Sequence, residues 1–390
     1  MRLGFHYHIP AIQKDDAIIM PGYLGRFIDS LAAECEQVVC FQHSPRTDEM
    51  HLMDYAINAN NVSLVPIGVH TSIPKRMLSI PTIKKIVKQH AQPLDIMLIR
   101  GPSPLLPAVA SACSPVPTAL LLVGDYMAGI DSLPQPPWRR ELIRLWSFWN
   151  ETMQTRQAKR SLTFVNSHML FEKLKDQVHD LVETRTTTLT KDDFYWREDT
   201  CQQQPIRLLY TGRMDPAKGL MDMAQALKIL VEKGYDVVLD LVGMEEGTNI
   251  LNELAHYAES TGMKGRIVYH GFKSVGPELF AYYQNADIYV IASQTSEGFP
   301  RTICEAMAHG LPVVATKVGS IPDFISQTGF LVDPKKPQAL AETIIEVVVN
   351  ASLRRERIQK GYVLAQENTL EERSNEMVDH IRNYLQQVKR

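Results

Sequence analysis

The sequence predicts two doubly wound α/β domains, and three observations carry that expectation. The first is length: 390 residues are too many for one ordinary core and suit two domains of roughly 150–200 residues each. The second is the alternation, clearest in the second half, of short apolar runs with helical stretches, the order of a parallel sheet covered by helices. The runs are continuous in Val, Ile, Leu and Tyr, as strands buried on both faces read. The third is that glycines and charged residues fall just after these runs, where ligands of such sheets bind.

In the first half, strands are expected at 2–8, 37–42, 62–68, 95–100, 117–123 and 162–166, with helices at 22–34, 82–90 and 138–158. The stretch 190–205 is polar and irregular and ends in Pro205, so the boundary is placed there, with domains at 1–200 and 201–370. The second half opens on a strand at 206–212 and an amphipathic helix at 218–234 that stops on Gly234. Strands at 236–243, 266–271 and 287–293 alternate with helices at 248–261 and 277–286. A helix of about ten residues, roughly 15 Å long, starts near Pro300 and ends at Gly310. Strands at 312–316 and 329–332 and a helix at 337–350 follow. Two such domains on one linker would place a cleft between them.

Hydrophobic residues make up 45% and charged residues 22%, an ordinary globular composition. A net charge of -3 gives no electrostatic case for a nucleic-acid partner. Five cysteines, odd in number and without a C-x-x-C pair, point to a reduced, cytoplasmic setting. The N-terminus has no secretory pattern, and the most apolar stretch, 107–123, is broken by Pro115 and Pro117 and too short to cross a bilayer. No G-x-G-x-x-G fingerprint or P-loop occurs, which disfavours a nicotinamide enzyme or a P-loop ATPase.

The stretch YTGRMDPAKGL (210–220) joins a strand to a helix. Gly212 lets the backbone turn, and Arg213 and Lys218 are two cations fit to grip a diphosphate; a solvated turn with surface cations is the plain alternative. Gly243 ends the next strand and allows a close ligand approach, as any βα-turn glycine would. Phe272 follows a third strand and suits a nucleobase. In SEGFPRTICEAMAHGLPVVAT (296–316), the helix after Pro300 would leave the N–H groups of Arg301, Thr302 and Ile303 free to bind an anion. Glu297 lies in the loop before it and Glu305 inside it. On physics alone, Glu305 paired with Arg301 one turn away and Glu297 as an acid favoured by a helix start read as well as two catalytic or ligand-binding acids.

These residues in register resemble the C-terminal domain of retaining glycosyltransferases of family 4. They run Gly212-Arg213…Lys218-Gly219, Gly243, Gly271, then Ser293…Glu297-Gly298-Phe299-Pro300…Glu305 and Gly310-Leu311-Pro312-Val313-Val314. The resemblance implies the GT-B fold, two Rossmann-like domains facing across a cleft, with the last helix, 371–390, returning to complete the first. It implies a metal-independent transferase without a cofactor, moving a hexose-type sugar from a nucleotide-diphosphate donor with retention to a hydroxyl of a glycan, lipid-linked or small-molecule acceptor. A UDP-sugar is favoured and a GDP-sugar is the other option. Arg213 and Lys218 would hold the diphosphate and stabilise the leaving nucleotide, aided by the amides of Arg301 and Thr302. Glu297 would meet the sugar, Glu305 the ribose hydroxyls, Phe272 the base, and the backbone of Gly298, Phe299 and Pro300 the sugar hydroxyls. In the first half, PGYLGRFIDSLA (21–32) resembles the family's glycine loop, so Gly22 and Gly25 would approach donor and acceptor. The family's usual His after the 117–123 strand is missing; Asp125 takes that place as a donor-sugar contact. The alternatives are a non-catalytic nucleotide-sugar-binding subunit and a GT-B isomerase.

Two basic segments bear on the acceptor: 74–90, and 136–160, where Trp138, Trp146 and Trp149 mix with Arg139, Arg140 and Arg144. One reading is peripheral contact with the inner face of a membrane. The other is a solvated helix burying a stripe of Leu142, Leu145 and Trp149.

Overall fold

A computed structural model of the chain describes residues 1–127, 130, 135–245, 247–295 and 297–388. It divides into two units, residues 1–186 with 370–390, and residues 187–369. The expected loop 294–299 includes residue 296, and the expected final helix includes 389 and 390; all three lie outside the described residues.

Unit 1 carries β1 (Arg2–His6), β2 (Ile12–Lys14), β3 (Ala17–Met20), β4 (Gln37–Ser44), β5 (Tyr55–Ala56), β6 (Val62–Val69), β7 (Ile96–Gly101), β8 (Thr118–Leu122), β9 (Leu162–Val165) and β10 (Leu181–Glu183). Seven form one sheet in the order β10-β9-β8-β7-β1-β4-β6, and its paired strands all run parallel. Unit 2 holds β11 (Ile206–Thr211), β12 (Val237–Val242), β13 (Ile267–Tyr269), β14 (Ile288–Ile291), β15 (Val313–Thr316) and β16 (Phe330–Val332). They pair in parallel as β13-β12-β11-β14-β15-β16. In both sheets the winding starts at a central strand, runs outward to one edge, then restarts on the other side. This is the doubly wound order 3-2-1-4-5-6, with one more strand in unit 1.

The strands form where β-branched and aliphatic residues run unbroken: every residue of β7, β8, β14 and β15 is buried. In the helix Leu220–Glu232, Leu220, Met223, Ala224, Leu227 and Leu230 recur at helical spacing and pack into the core of unit 2. Each such buried leucine contributes about 1.5–3 kcal/mol. The last helix, Leu370–Val388, sets Leu370, Met377, Val378, Ile381 and Leu385 into the core of unit 1, beside Leu24 and Ile28.

Several expectations need correction. The units part at 186/187, not at 200/201, because residues 187–200 are tied to unit 2. Tyr195 N–H donates to Ala308 O at 2.9 Å, and Arg197 donates to the carbonyls of Tyr283, Gln284 and His309. Asp199 takes a bidentate contact, at 2.7 and 3.1 Å, from the buried guanidinium of Arg354. The antiparallel sheet β2-β3-β5 was not foreseen, since strands of two to four residues carry no periodic signal. The helix Pro137–Ala158 is inverted relative to the buried-stripe reading. Its buried positions are Ser147, Asn150, Gln154 and Ala158, while Leu142, Leu145 and Trp149 are 57%, 66% and 49% exposed.

Unit 1 also buries neutral histidines. Burial lowers His6 to about 4 and His43 to about 3. An unfolded histidine titrates near 6.5, so below that pH the unfolded chain binds protons the folded unit refuses. Stability is thus full above pH 6.5 and lost as pH falls towards 4. The expected result is a melting midpoint flat from pH 7 to 8 and falling from 6.5 to 4.5. A flat curve over the lower range would refute it.

Candidate active site

In unit 2 the winding direction changes between β11 and β14, and two loops leave the carboxyl ends of those strands side by side. Gly212 opens the first loop with φ +147°. Its N–H donates to Val242 O at 2.9 Å, and Gly243 N–H donates to Gly271 O at 2.9 Å, so three strand ends are stitched together. Tyr210 Oη donates to Arg213 O at 2.9 Å and pins the next residue. Asp215 then caps a short 3-10 turn, Pro216–Lys218, accepting from Ala217 N–H at 2.8 Å. Lys218 therefore belongs to a turn, and the helix begins at Leu220 rather than at 218. Gln294 N–H donates to Ala217 O at 2.8 Å, joining the two loops.

This junction brings Lys218 Nζ to 2.6 Å from Glu297 Oε1, with both side chains mostly buried. Ser293 Oγ donates to the same oxygen. Glu297 Oε2 has no hydrogen-bond partner among the described residues. The Glu297 main chain is held as well: Ser320 N–H donates to its carbonyl at 3.0 Å, and Gly319 passes so close that a Cβ there would lie 2.1 Å from that oxygen. Arg213 is exposed and makes no side-chain hydrogen bond or ion pair among the described residues. The arrangement leaves two Lys218 N–H groups and a whole guanidinium to meet an anion, and one carboxylate oxygen to accept from a hydroxyl.

Glu305 does not pair with Arg301. It is 4% exposed and turned inward, accepting from Thr188 Oγ1 and from Tyr283 Oη at 2.7 Å. Burial, then the Glu305 charge, hold the Tyr283 phenol well above its usual value, so it stays a donor. Tyr283 Oη lies 2.6 Å from Thr211 Oγ1, one residue before Gly212, so the carboxylate braces the turn that carries Arg213. Two of its about four acceptor positions are filled from within the protein.

The helix that follows is Arg301–Ala308, with Pro300 as its N-cap rather than its first residue. Ile303 N–H is bonded to Pro300 O at 3.1 Å, so it is not one of the free amides expected there. Arg301 and Thr302 stay partly exposed, Gly298 is exposed, and Phe299 packs edge-on against Phe324 at 4.7 Å. Phe272 is 45% exposed beyond β13. Gly22 and Asp125 lie in unit 1. Gly22 N–H is taken by Asp54 Oδ1 at 2.7 Å, and the missing Cβ of Gly25 makes room for the Tyr55 ring, which a Cβ would meet at 2.3 Å. Asp125 accepts from Lys173 Nζ and from Met127 N–H, both at 2.7 Å, which fills two of its about four acceptor positions. Sequence reasoning missed Thr188, Tyr283 and Gly319, which touch the two glutamates from remote positions, and gave Ser293, four residues before Glu297, no role of its own. Among the described residues no group of three or more His, Cys, Asp and Glu side chains is placed to hold a metal ion.

Residues 195–363, within unit 2, match the family described as glycosyl transferases group 1. Curated relatives match about a third of the chain. A D-inositol 3-phosphate glycosyltransferase of Paenarthrobacter aurescens is 35% identical over 143 residues, 36% of this chain and 34% of that protein. The capsular polysaccharide biosynthesis glycosyltransferase CapM of Staphylococcus aureus is 31% identical over 147 residues, 37% of each. The match spans about a third of the length of these relatives. Solved structures extend the likeness of fold to both units. Anabaena HepE in complex with UDP superposes with a TM-score of 0.73 at 18% identity, covering 98% of this chain and 100% of that one. The sucrose-phosphate synthase of Thermosynechococcus elongatus gives 0.72 at 18% identity, covering 98% of each. The fold is GT-B.

Proposed function

We propose that the protein is a retaining glycosyltransferase that moves a hexose-type sugar from a nucleotide-diphosphate donor, a UDP-sugar by preference, to an acceptor hydroxyl. The observation that carries this reading is the Lys218–Glu297 pair at the turning point of the unit 2 sheet, with Arg213 exposed beside it. Negative charge grows on the diphosphate as the glycosidic bond breaks, and cations fixed in advance stabilise that state most. Lys218 is held by Glu297 and keeps two donors for phosphate oxygens; Arg213 adds a bidentate fork. Oε2 of Glu297 accepts from a sugar hydroxyl. Glu305, held by Thr188 and Tyr283, offers its remaining lone pairs to the ribose, and Phe272 flanks the base. HepE has been solved with UDP and with UDP-glucose, which supports a uridine donor. Incubation with UDP- and GDP-sugars and an acceptor panel, with the anomeric configuration of the product read by NMR, tests this. An inverted product would overturn retention, and no turnover of any sugar nucleotide would overturn the function.

The acceptor side includes an anionic membrane surface. Trp138, Leu142, Leu145, Phe148 and Trp149 are between 49% and 67% exposed along one helix, with Arg139 exposed beside Trp138. Arg156 and Lys159 line an adjoining cavity of about 440 Å³ with Phe148; Lys173, also there, is paired with Asp125 and with Glu151. Apolar side chains facing out among cations suit a helix lying in the headgroup layer. Among the described residues no helix is long and apolar enough to cross a membrane. The protein is expected to co-sediment with phosphatidylglycerol vesicles and not with phosphatidylcholine ones, and Leu145→Asp with Trp149→Asp is expected to weaken that at least about tenfold, two buried side chains at 1.5–3 kcal/mol each exceeding that loss. Unchanged sedimentation of the double variant would refute the contact.

A further inference from the structure

The sheet of unit 1 turns between β1 and β7, and near the carboxyl ends of β1, β4 and β6 lies a polar cluster that the donor site does not use. His6 closes β1, His8 follows it, His43 stands near the end of β4, His70 follows β6, and Arg76 comes from the helix Ile73–Leu78. The rings of His43 and His70 are 5.9 Å apart, and the Arg76 charge acts on His6, His8 and His43. His6, His43 and Arg76 are 0%, 1% and 7% exposed, while His8 and His70 are partly exposed and open the cluster on one side.

The hydrogen bonds decide what each ring presents. Nδ1 of His6 faces Phe41 O at 2.8 Å, and Nδ1 of His43 faces Gly68 O at 3.3 Å. A carbonyl only accepts, so these nitrogens carry the proton and Nε2 carries a lone pair. His70 Nδ1 donates to Glu49 Oε1 at 2.6 Å, with the same result. All three Nε2 atoms are buried without a hydrogen-bond partner, and so are Nε and Nη1 of Arg76. The Glu49 charge acts on Arg76, but its oxygens give the guanidinium no hydrogen bond. Its Oε1 also meets Arg46 Nη2 at 3.2 Å, and its Oε2 takes Arg46 N–H at 2.9 Å. Burial lowers His6, His8 and His43 far below neutral pH, so the rings accept and do not add charge. Buried polar groups are normally paired, and a set left unmet at the binding end of a parallel sheet calls for a ligand.

Three acceptor lone pairs beside a guanidinium with unused donors are complementary to one chemistry: several hydroxyls and an anionic group on one small molecule. We propose that this cluster binds an acidic sugar or polyol, its phosphate or carboxylate on Arg76 and its hydroxyls donating to His6, His43 and His70, as the acceptor of the transfer. Only the word acceptor rests on the transferase reading; the binding does not.

Thermal shift and calorimetry with glucose 6-phosphate, glucuronate, glucose, inorganic phosphate and UDP test it. Glucose 6-phosphate or glucuronate is expected to raise the melting midpoint, and which of the two does so identifies the anion. Glucose and inorganic phosphate are each expected to bind at least about tenfold more weakly. Arg76→Gln is expected to abolish the acidic-sugar response and keep the UDP response, which also shows that the variant is folded, and Arg76→Lys is expected to restore part of it. The proposal falls if neither acidic sugar binds a protein that answers to UDP. It falls equally if Arg76→Gln binds them undiminished, or if inorganic phosphate binds as well as glucose 6-phosphate. A protein that binds acidic sugars but no UDP or GDP-sugar would keep this site and lose the donor reading instead.

Discussion

Lys218→Ala is expected to lower kcat by about 10²–10³-fold, the effect of deleting one preorganised charge-stabilising donor from an active site. Two consequences add. In the proposed mechanism the leaving diphosphate loses a fixed cation, and Glu297 keeps its charge in a mostly buried place with only Ser293 to answer it. The second effect is one of stability, because breaking a buried pair from one side leaves an uncompensated ion. The two are separable. Lys218→Ala with Glu297→Gln removes the orphaned charge, so it is expected to recover the melting midpoint without recovering turnover. Lys218→Arg keeps charge, yet it cannot place a compact ammonium at the 2.6 Å site, so it is expected to fall between wild type and alanine. Steady-state kinetics with the best UDP-sugar, together with melting curves, checks both. Wild-type kcat in Lys218→Ala would remove this lysine from the mechanism.

What could be read in the chain beforehand was set by the range of the interactions involved. The parallel strands of unit 2 were legible because β14 and β15 are wholly buried and need no partner's identity to declare themselves. Lys218 and Glu297 were legible as candidates because each sits just after a strand. Their 2.6 Å contact was not, since it depends on the two loops being joined through Gln294 N–H and Ala217 O. Glu305 shows the limit from the other side. The family resemblance implied a place for it in the site, where physics alone left it open, but its inward turn towards Thr188 depends on residues 187–200 belonging to unit 2. The same segment moved the domain boundary, since composition reads 190–205 as linker and the Arg354–Asp199 contact lies 155 residues apart. The exposed Leu142, Leu145 and Trp149 invert the usual inference from an apolar helical stripe. The neighbours that would tell a core face from a docking face lie far away in sequence.

Gly243→Ala is expected to destabilise unit 2 by at least about 3 kcal/mol, or roughly 6–12 °C in melting midpoint for a unit of this size. The residue has φ +147°, where an L side chain is strained, and a Cβ there would lie 1.7 Å from Gly212 O. That neighbour is backbone, so no rotamer change relieves the clash; the ends of β11 and β12 must move apart. The bonds from Gly212 N–H to Val242 O and from Gly243 N–H to Gly271 O would stretch together, and Arg213 would shift with the turn that carries it. Gly234→Ala is the control. It too has a positive φ, +89°, but nothing lies within 4 Å of its added Cβ, so only the strain of about 1–2 kcal/mol applies. The difference between the two variants isolates the close approach of the strand ends from the conformational cost of alanine. If the close approach also shapes the donor site, UDP affinity falls in Gly243→Ala at temperatures where the unit is still folded and stays unchanged in Gly234→Ala. Equal melting shifts and equal UDP affinities in the two variants would mean that Gly243 is there for its backbone angle alone.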